Sequence, residues 1–311
     1  MSERVLITGG TGFVGSHLYR HLSEQHLELH LTSMGGGSTD YKQAQVHKVD
    51  LRDSAATARL VEVVKPTQIY HLASLAAVGS SYEQAERVLI DNVQLQHSLL
   101  SAVLHHAPQA RILHVSSAEV YGYSEENDKT LTEEAPLKPI NPYGVSKATQ
   151  DLLCYAYCKS YQMKIIRVRP FNHIGAGQTA QFALPAFAQQ LVAIERGANP
   201  VLKVGNLQAV RDFTDVDDIV RAYILLMQRG VASEVYNLGS GTGIQMQTVV
   251  EQLCALAKVP VRIEVDPKRL RPLDIPVMVA NNAKVKNLGW QPKVPLHASL
   301  ESIIEYWRNQ P

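Results

Sequence analysis

The sequence predicts an α/β fold, a doubly wound parallel sheet followed by a smaller mixed α/β lobe. Three observations carry this expectation. Short apolar runs alternate with amphipathic stretches of helical period through the first half of the 311 residues. A glycine-rich turn joins the first such run to the first helical stretch. After Arg169 the texture becomes irregular, and the strand-like runs grow shorter and farther apart.

In chain order, strands are expected at Arg4–Thr8, Glu28–Thr32, Val46–Val49, Gln68–Leu72 and Arg111–Ser116. Helical periodicity marks Phe13–Glu24, Ser54–Val64 and Glu83–His105 between them. A helix over Pro142–Tyr161 and a strand over Lys164–Arg169 continue the alternation. Pro170–Ala180 reads as irregular, followed by a helix over Phe182–Arg196. Short strands then fall at Val201–Val204, Glu234–Leu238 and Val261–Val265, with helices at Val216–Gln228, Met246–Leu256 and Leu296–Arg308. The expected division is a dinucleotide-binding domain over 1–170 and a substrate lobe over 171–311, with segments of the second half able to return to the first. Met34–Asp40, rich in glycine, is the one stretch that looks flexible.

Composition narrows the function classes. Hydrophobic residues make up 45% and charged residues 19%, ordinary for a globular protein. The formal net charge is +1 with no basic stripe, which argues against a nucleic-acid partner. No apolar run reaches the roughly 18–20 residues that cross a bilayer, and the chain enters a strand without a signal-peptide layout. No membrane association and a cytoplasmic location are therefore expected. Cys154, Cys158 and Cys254 are an odd number without finger-type partners, so buried thiols are expected. The 12 histidines are scattered along the chain, and no metal site is expected.

Gly9-Gly10-Thr11-Gly12-Phe13-Val14-Gly15 follows a strand and opens a helix. Gly9 permits the tight turn, Gly12 lets backbone approach a pyrophosphate, and Gly15 lets the helix pack closely. The helix N-terminus offers N–H groups and partial positive charge to phosphates. This is a Rossmann-type dinucleotide site. An NAD site carries an acid at the end of the second strand, where this chain reads Leu31-Thr32-Ser33-Met34. The missing carboxylate leans toward NADP(H) over NAD(H), with Ser33 and the amides of 35–37 left to hold a 2′-phosphate. Asp50 and Leu51 are placed to flank the adenine, and Leu72, Ala73 and Ser74 to line the groove after the fourth strand.

Tyr143 and Lys147 are one helical turn apart and face the same way. A free phenol titrates near 10, and a neighbouring ammonium is expected to lower that value, making Tyr143 a usable proton donor or acceptor. Lys147 also has the reach to hold the nicotinamide ribose. Ser116-Ser117 ends the fifth strand. With Gly-x-x-Gly-x-x-Gly at 9–15, Tyr-x-x-x-Lys at 143–147 and Ser117 within Ser-Ser-Ala-Glu-Val-Tyr-Gly, the chain resembles the extended short-chain dehydrogenase/reductases along its whole length. The resemblance implies that Ser117 bonds the substrate oxygen, Tyr143 exchanges the proton, and Lys147 orients the cofactor and tunes Tyr143. It also implies a homodimer paired through Glu83–His105 and Pro142–Tyr161.

Arg169-Pro170-Phe171-Asn172-His173-Ile174-Gly175-Ala176-Gly177-Gln178 resembles the run found in reductases of GDP-4-keto-6-deoxy-D-mannose, which make GDP-D-rhamnose. Val204-Gly205-Asn206, Val210–Val216 and the segment Asp266–Pro272 fit the same subgroup, although Ala176 stands where a proline is usual. The resemblance implies a nucleotide-sugar substrate, GDP-linked, met by Asn172 and Glu119. Arg211 and Arg271 are candidate diphosphate clamps, since guanidinium groups bind phosphate oxygens in pairs, and Lys203 is a weaker candidate. For Arg211 the alternative is an ion pair with Asp212 or Asp215. The rival activities are a GDP-mannose 4,6-dehydratase and a nucleotide-sugar 4-epimerase. Relatives that dehydrate dTDP-glucose carry Asp-Glu where this chain has Ala118-Glu119, yet Glu119 alone leaves dehydration open. A non-catalytic nucleotide-sugar sensor on the same fold is the alternative of another class.

Overall fold

In the computed structural model, described for residues 3–35, 40–76, 81–123, 130–270 and 273–311, the chain builds a seven-stranded parallel sheet. Its strands are β1 (Arg4–Thr8), β2 (Glu28–Ser33), β3 (Ala44–Lys48), β4 (Gln68–His71), β5 (Arg111–Val115) and β6 (Lys164–Pro170), joined at one edge by a strand from the second half, Val235–Leu238. The spatial order runs from that added strand through β6, β5, β4, β1 and β2 to β3. The order reverses between β1 and β4, and that crevice at the carboxyl ends of the strands is where α/β sheets take ligands.

Period-two alternation splits each strand between two cores. From β1, Val5 and Ile7 face a cluster shared with α1 (Phe13–Ser23), while Leu6 faces one shared with α2 (Ser54–Val64), α3 (Ala85–His106) and α4 (Pro142–Tyr161). Two of these helices are started by a side-chain cap. Asp53 accepts from the N–H groups of Ala55 and Ala56 at 3.0 Å to open α2. Asn141 accepts from Gly144 N–H at 2.7 Å with Pro142 in the first turn of α4.

Beyond β6 come β7 (Asn172–Ile174), α5 (Ala183–Glu195), β8 (Val201–Val204), β9 (Val210–Asp215), α6 (Val216–Arg229) and β10, the added strand. They are followed by β11 (Gly243–Gln245), α7 (Met246–Ala255), β12 (Arg262–Val265), β13 (Val277–Met278), α8 (Ala283–Lys286) and α9 (Leu296–Arg308). Strands β7, β11 and β13 all pair with β9, and β8 pairs with β12. Helices α5, α7 and α9 close over a separate core containing Phe187, Leu202, Val250 and Ile303. Helix α6 instead packs with α1 against the large sheet, through Ile219, Tyr223 and Leu226. Residues 216–238 thus belong to the first layer in space. Asn172–Ile174, read from sequence as irregular, is a short strand because its backbone pairs with Phe213–Asp215. Among the described residues no helix is long and apolar enough to cross a membrane.

Candidate active site

The glycine turn sits at the carboxyl end of β1. Gly9 has φ +66°, a left-handed conformation that favours glycine. Its N–H donates to Thr32 Oγ1 at 3.0 Å. A Cβ on Gly15 would fall 2.4 Å from the Gly9 carbonyl oxygen, so only glycine lets α1 approach the turn this closely. A Cβ on Gly12 would meet only the Gly9 carbonyl oxygen, at 3.2 Å, and no side chain caps the first turn of α1. The amides of that turn are therefore left to an anion, which fits a dinucleotide pyrophosphate. Phe13 and Val14 lean on the α1 core.

Around the turn, Thr11 Oγ1 donates to Ser33 Oγ at 3.0 Å, placing two hydroxyls and no carboxylate at the end of β2. Residues 36 and 37 lie outside the described residues. Leu51 is buried between α2 and α3. The Asp50 carboxylate is gripped by Arg52 at 2.6–3.1 Å, which holds it below the usual carboxylate range. Both side chains are thus committed within the protein. Leu72 packs against the α1 core, and Ala73 backs the turn, 3.1 Å from where a Gly9 Cβ would stand. Thr8 Oγ1 accepts from Ala73 N–H at 3.2 Å and shares a hydrogen bond with His71 Nδ1 at 2.7 Å. Burial and the Lys147 charge push His71 down to about 3, leaving it neutral.

Ser117, Tyr143 and Lys147 converge where β5 ends beside the first turns of α4. Ser117 follows β5 and caps a short 3-10 turn, its Oγ accepting from Glu119 N–H at 3.1 Å. Its hydroxyl is also within hydrogen-bonding range of the buried Tyr143 phenol. Burial raises the Tyr143 pKa; the Ser117 hydroxyl opposes the rise and the Glu119 carboxylate adds to it. The expected lowering by Lys147 does not operate in this arrangement. Lys147 Nζ instead donates to the Val115 carbonyl at 2.6 Å and to Gln150 Oε1 at 3.0 Å. Burial brings Lys147 down to about 7, with Cys154 and Asp151 opposing.

Sequence reasoning missed the groups that hold these three in place. Asn92 on α3 accepts from Ser74 Oγ at 3.2 Å and donates to Ser146 Oγ at 3.0 Å, tying the groove after β4 to the catalytic helix. Its carbonyl accepts from Gln150 Nε2 at 2.7 Å. The signal was present: Asn92 and Gln96 lie on the same stripe of α3 as Val88, Leu95 and Leu99. Asn141 likewise donates to Glu119 Oε2 at 2.7 Å, fixing that carboxylate near Tyr143.

The GDP-mannose 4,6 dehydratase family matches residues 6–303. The chain belongs to this family. It is 31% identical to the GDP-6-deoxy-D-mannose reductase of Pseudomonas aeruginosa, over 100% of this chain and 99% of that one. The structure of RMD from Pseudomonas aeruginosa complexed with NADPH superposes with a TM-score of 0.87 at 30% identity, covering 99% of both chains. The UDP-glucose 4-epimerase of Thermus thermophilus in complex with NAD gives a TM-score of 0.88 at 28% identity, covering 98% of this chain and 99% of that one. The chain is an enzyme of the extended short-chain dehydrogenase/reductase type.

Within this GDP-mannose 4,6 dehydratase family member, the remaining candidates lie on the second lobe's side. Asn172 opens β7 and is half-buried. Lys203 is exposed on β8, its backbone bonded to Gln190. Arg211 is buried on β9, donating to Asp274 Oδ1 and to the Ile275 carbonyl, both at 2.7 Å. Neither Asp212 nor Asp215 pairs with it. Asp212, next to Arg211 on the strand, faces the opposite side, and the two acids are taken by Ser240, Gly241 and Ala280, and by Ser299 and the Asp217 N–H. Arg271 lies outside the described residues. Cys154 and Cys158 are buried, Cys254 is half-buried, and the described residues contain no metal-binding cluster.

Proposed function

We propose that this enzyme reduces the C4 ketone of a nucleotide-linked 4-keto-6-deoxy sugar, GDP-4-keto-6-deoxy-D-mannose, to GDP-D-rhamnose. The observation that carries the reading is the junction of Ser117 and Tyr143 hydroxyls beside Lys147, at the carboxyl edge of the sheet next to the glycine turn. Full-length identity to the Pseudomonas aeruginosa reductase supports the choice of sugar. When bound, a reduced nicotinamide supplies the hydride. Ser117 fixes the ketone oxygen and Tyr143, held protonated by burial, gives that oxygen its proton. Lys147 holds the nicotinamide ribose. The amides of α1's first turn take the pyrophosphate, and Thr11 and Ser33 face the adenine ribose. With no carboxylate to repel a 2′-phosphate, NADP(H) is preferred over NAD(H). Asn172, Glu119, Lys203, Arg211 and Arg271 are the groups assigned to the sugar nucleotide. The working unit is a homodimer paired through α3 and α4.

A second reading has its own observation. Glu119, anchored by Asn141 beside Tyr143, is a carboxylate placed to act as a base, as loss of water from GDP-mannose requires. Mixing the protein with NADPH or NADH and GDP-4-keto-6-deoxymannose, then following cofactor oxidation and identifying the sugar, separates the two. The reductase oxidises NADPH faster than NADH and yields GDP-rhamnose. No oxidation with either cofactor, but water loss from GDP-mannose, assigns the enzyme to dehydration.

A further inference from the structure

The loop that follows β7 runs against α1, and the His17 side chain hydrogen-bonds its backbone. On α1, His17 Nδ1 lies 2.8 Å from Asp217 Oδ1 in the first turn of α6, and Nε2 lies 3.1 Å from the Ala176 carbonyl oxygen. A carbonyl only accepts, so Nε2 carries a hydrogen. The imidazole side chain is 12% exposed and the Asp217 side chain 36%, so the ring is largely enclosed while the carboxylate still meets water. Arg20 and His21 approach the same carboxylate at 3.1 and 3.3 Å. Asp217 is held far below the usual carboxylate range, His17 being the largest cause, so it stays ionised near neutrality. One turn before His17, the Phe13 ring stacks parallel to His173 at 6.2 Å and meets His17 edge-on at 5.4 Å. A Cβ on Gly175 would stand 3.6 Å from the same ring. None of these side chains takes part in the hydride or proton steps.

We infer that His17 is a positioning residue that latches the segment 173–177, the end of β7 and the loop after it, to the helix whose first turn is assigned to the dinucleotide. The latch sets the sugar-nucleotide side of the cleft against the cofactor side, a consequence that rests on the substrate role proposed for the Asn172 loop. Binding at one side then strengthens binding at the other by the same factor.

Hydrogen exchange of the peptide spanning 173–177, with and without NADPH, tests the latch in the wild type, His17→Leu and His17→Gln. NADPH should slow exchange there in the wild type. In His17→Leu that segment should exchange roughly tenfold faster and lose its response to NADPH, with His17→Gln intermediate because its amide N–H can still reach one acceptor. KM for the sugar nucleotide should rise roughly tenfold in His17→Leu, while kcat and NADPH affinity stay within about threefold. Should His17→Leu fail to fold, Asp217→Asn takes its place, with the same shift in KM and in exchange. Unchanged exchange at 173–177, no NADPH response in the wild type, or a uniform rise in exchange along the whole chain overturns the inference. If no 4-keto sugar nucleotide is turned over by the wild type, the proposed substrate falls, and the NADPH-dependent exchange alone decides the latch.

Discussion

Tyr143 sits in a pocket that keeps its phenol protonated, and a group in that state enters a reduction ready to give its proton. Replacing it in Tyr143→Phe removes the donor and little else from a buried ring. The variant should lose roughly 10²–10⁴-fold in kcat while binding NADPH as the wild type does, as fluorescence titration will show. Near-native turnover would remove Tyr143 from the proton step. Lys147 invites a different measurement. Its folded pKa of about 7 lies below the ordinary 10.5, so between those values the unfolded chain binds more protons than the folded one. Stability therefore rises with pH across that window and is lost as pH falls through about 7. Measured against Lys147→Met, which cannot titrate, the wild-type melting temperature should gain as the buffer moves from about pH 6 to about pH 9. A flat difference would mean the ammonium is solvated rather than buried. The sequence pointed to these residues by their spacing taken together with the glycine turn and the serines that end the fifth strand. Their partners were less legible, because a carbonyl such as that of Val115 has no sequence signature.

At the scale of elements, α4 is joined to β6 by charge as well as by packing. Asp151, fully buried, meets Arg167 NH1 at 2.8 Å and Arg169 Nε at 2.9 Å. Arg169 goes on to Tyr121 OH at 3.0 Å, and that hydroxyl donates to Asn237 on β10 at 2.6 Å. Asp151→Ala would strand two buried guanidinium groups and should cost about 3–5 kcal/mol in urea unfolding. A loss below about 1 kcal/mol would show that water reaches the pair. The helices other than the short α8, and the first six strands, could be read from apolar period, since they present alternating or striped hydrophobic faces. Strand β9 could not. Its Val-Arg-Asp-Phe-Thr-Asp buries Arg211, Asp212 and Asp215, and such charged residues go inside because other groups satisfy them. Those groups, 240–241, 274–275 and 280 among them, are far along the chain, so hydropathy gives no hint of the strand.

Seen whole, the molecule leaves an apolar face on α3 and α4. Ile90 is 58% exposed and Leu152 57%, with the exposed Tyr155 one turn past Leu152 on α4. In the proposed homodimer these are covered by a second copy, and Ile90→Glu combined with Leu152→Glu should sediment as a monomer at concentrations where the wild type is a dimer. A wild type that sediments only as a monomer at micromolar concentration would discard this pairing. Whole-molecule features were the least legible of all, for the two ends of the latch at His17 and Asp217 are 200 residues apart. The sheet's last strand has a consequence for synthesis. Until Val235–Leu238 has emerged, the outer edge of β6 is an unpaired row of backbone donors and acceptors, a template for pairing with other nascent chains. Fragments stopped at residue 170 or 230, though they hold the whole glycine turn and all three catalytic side chains, should collect in aggregates where the full chain stays dispersed.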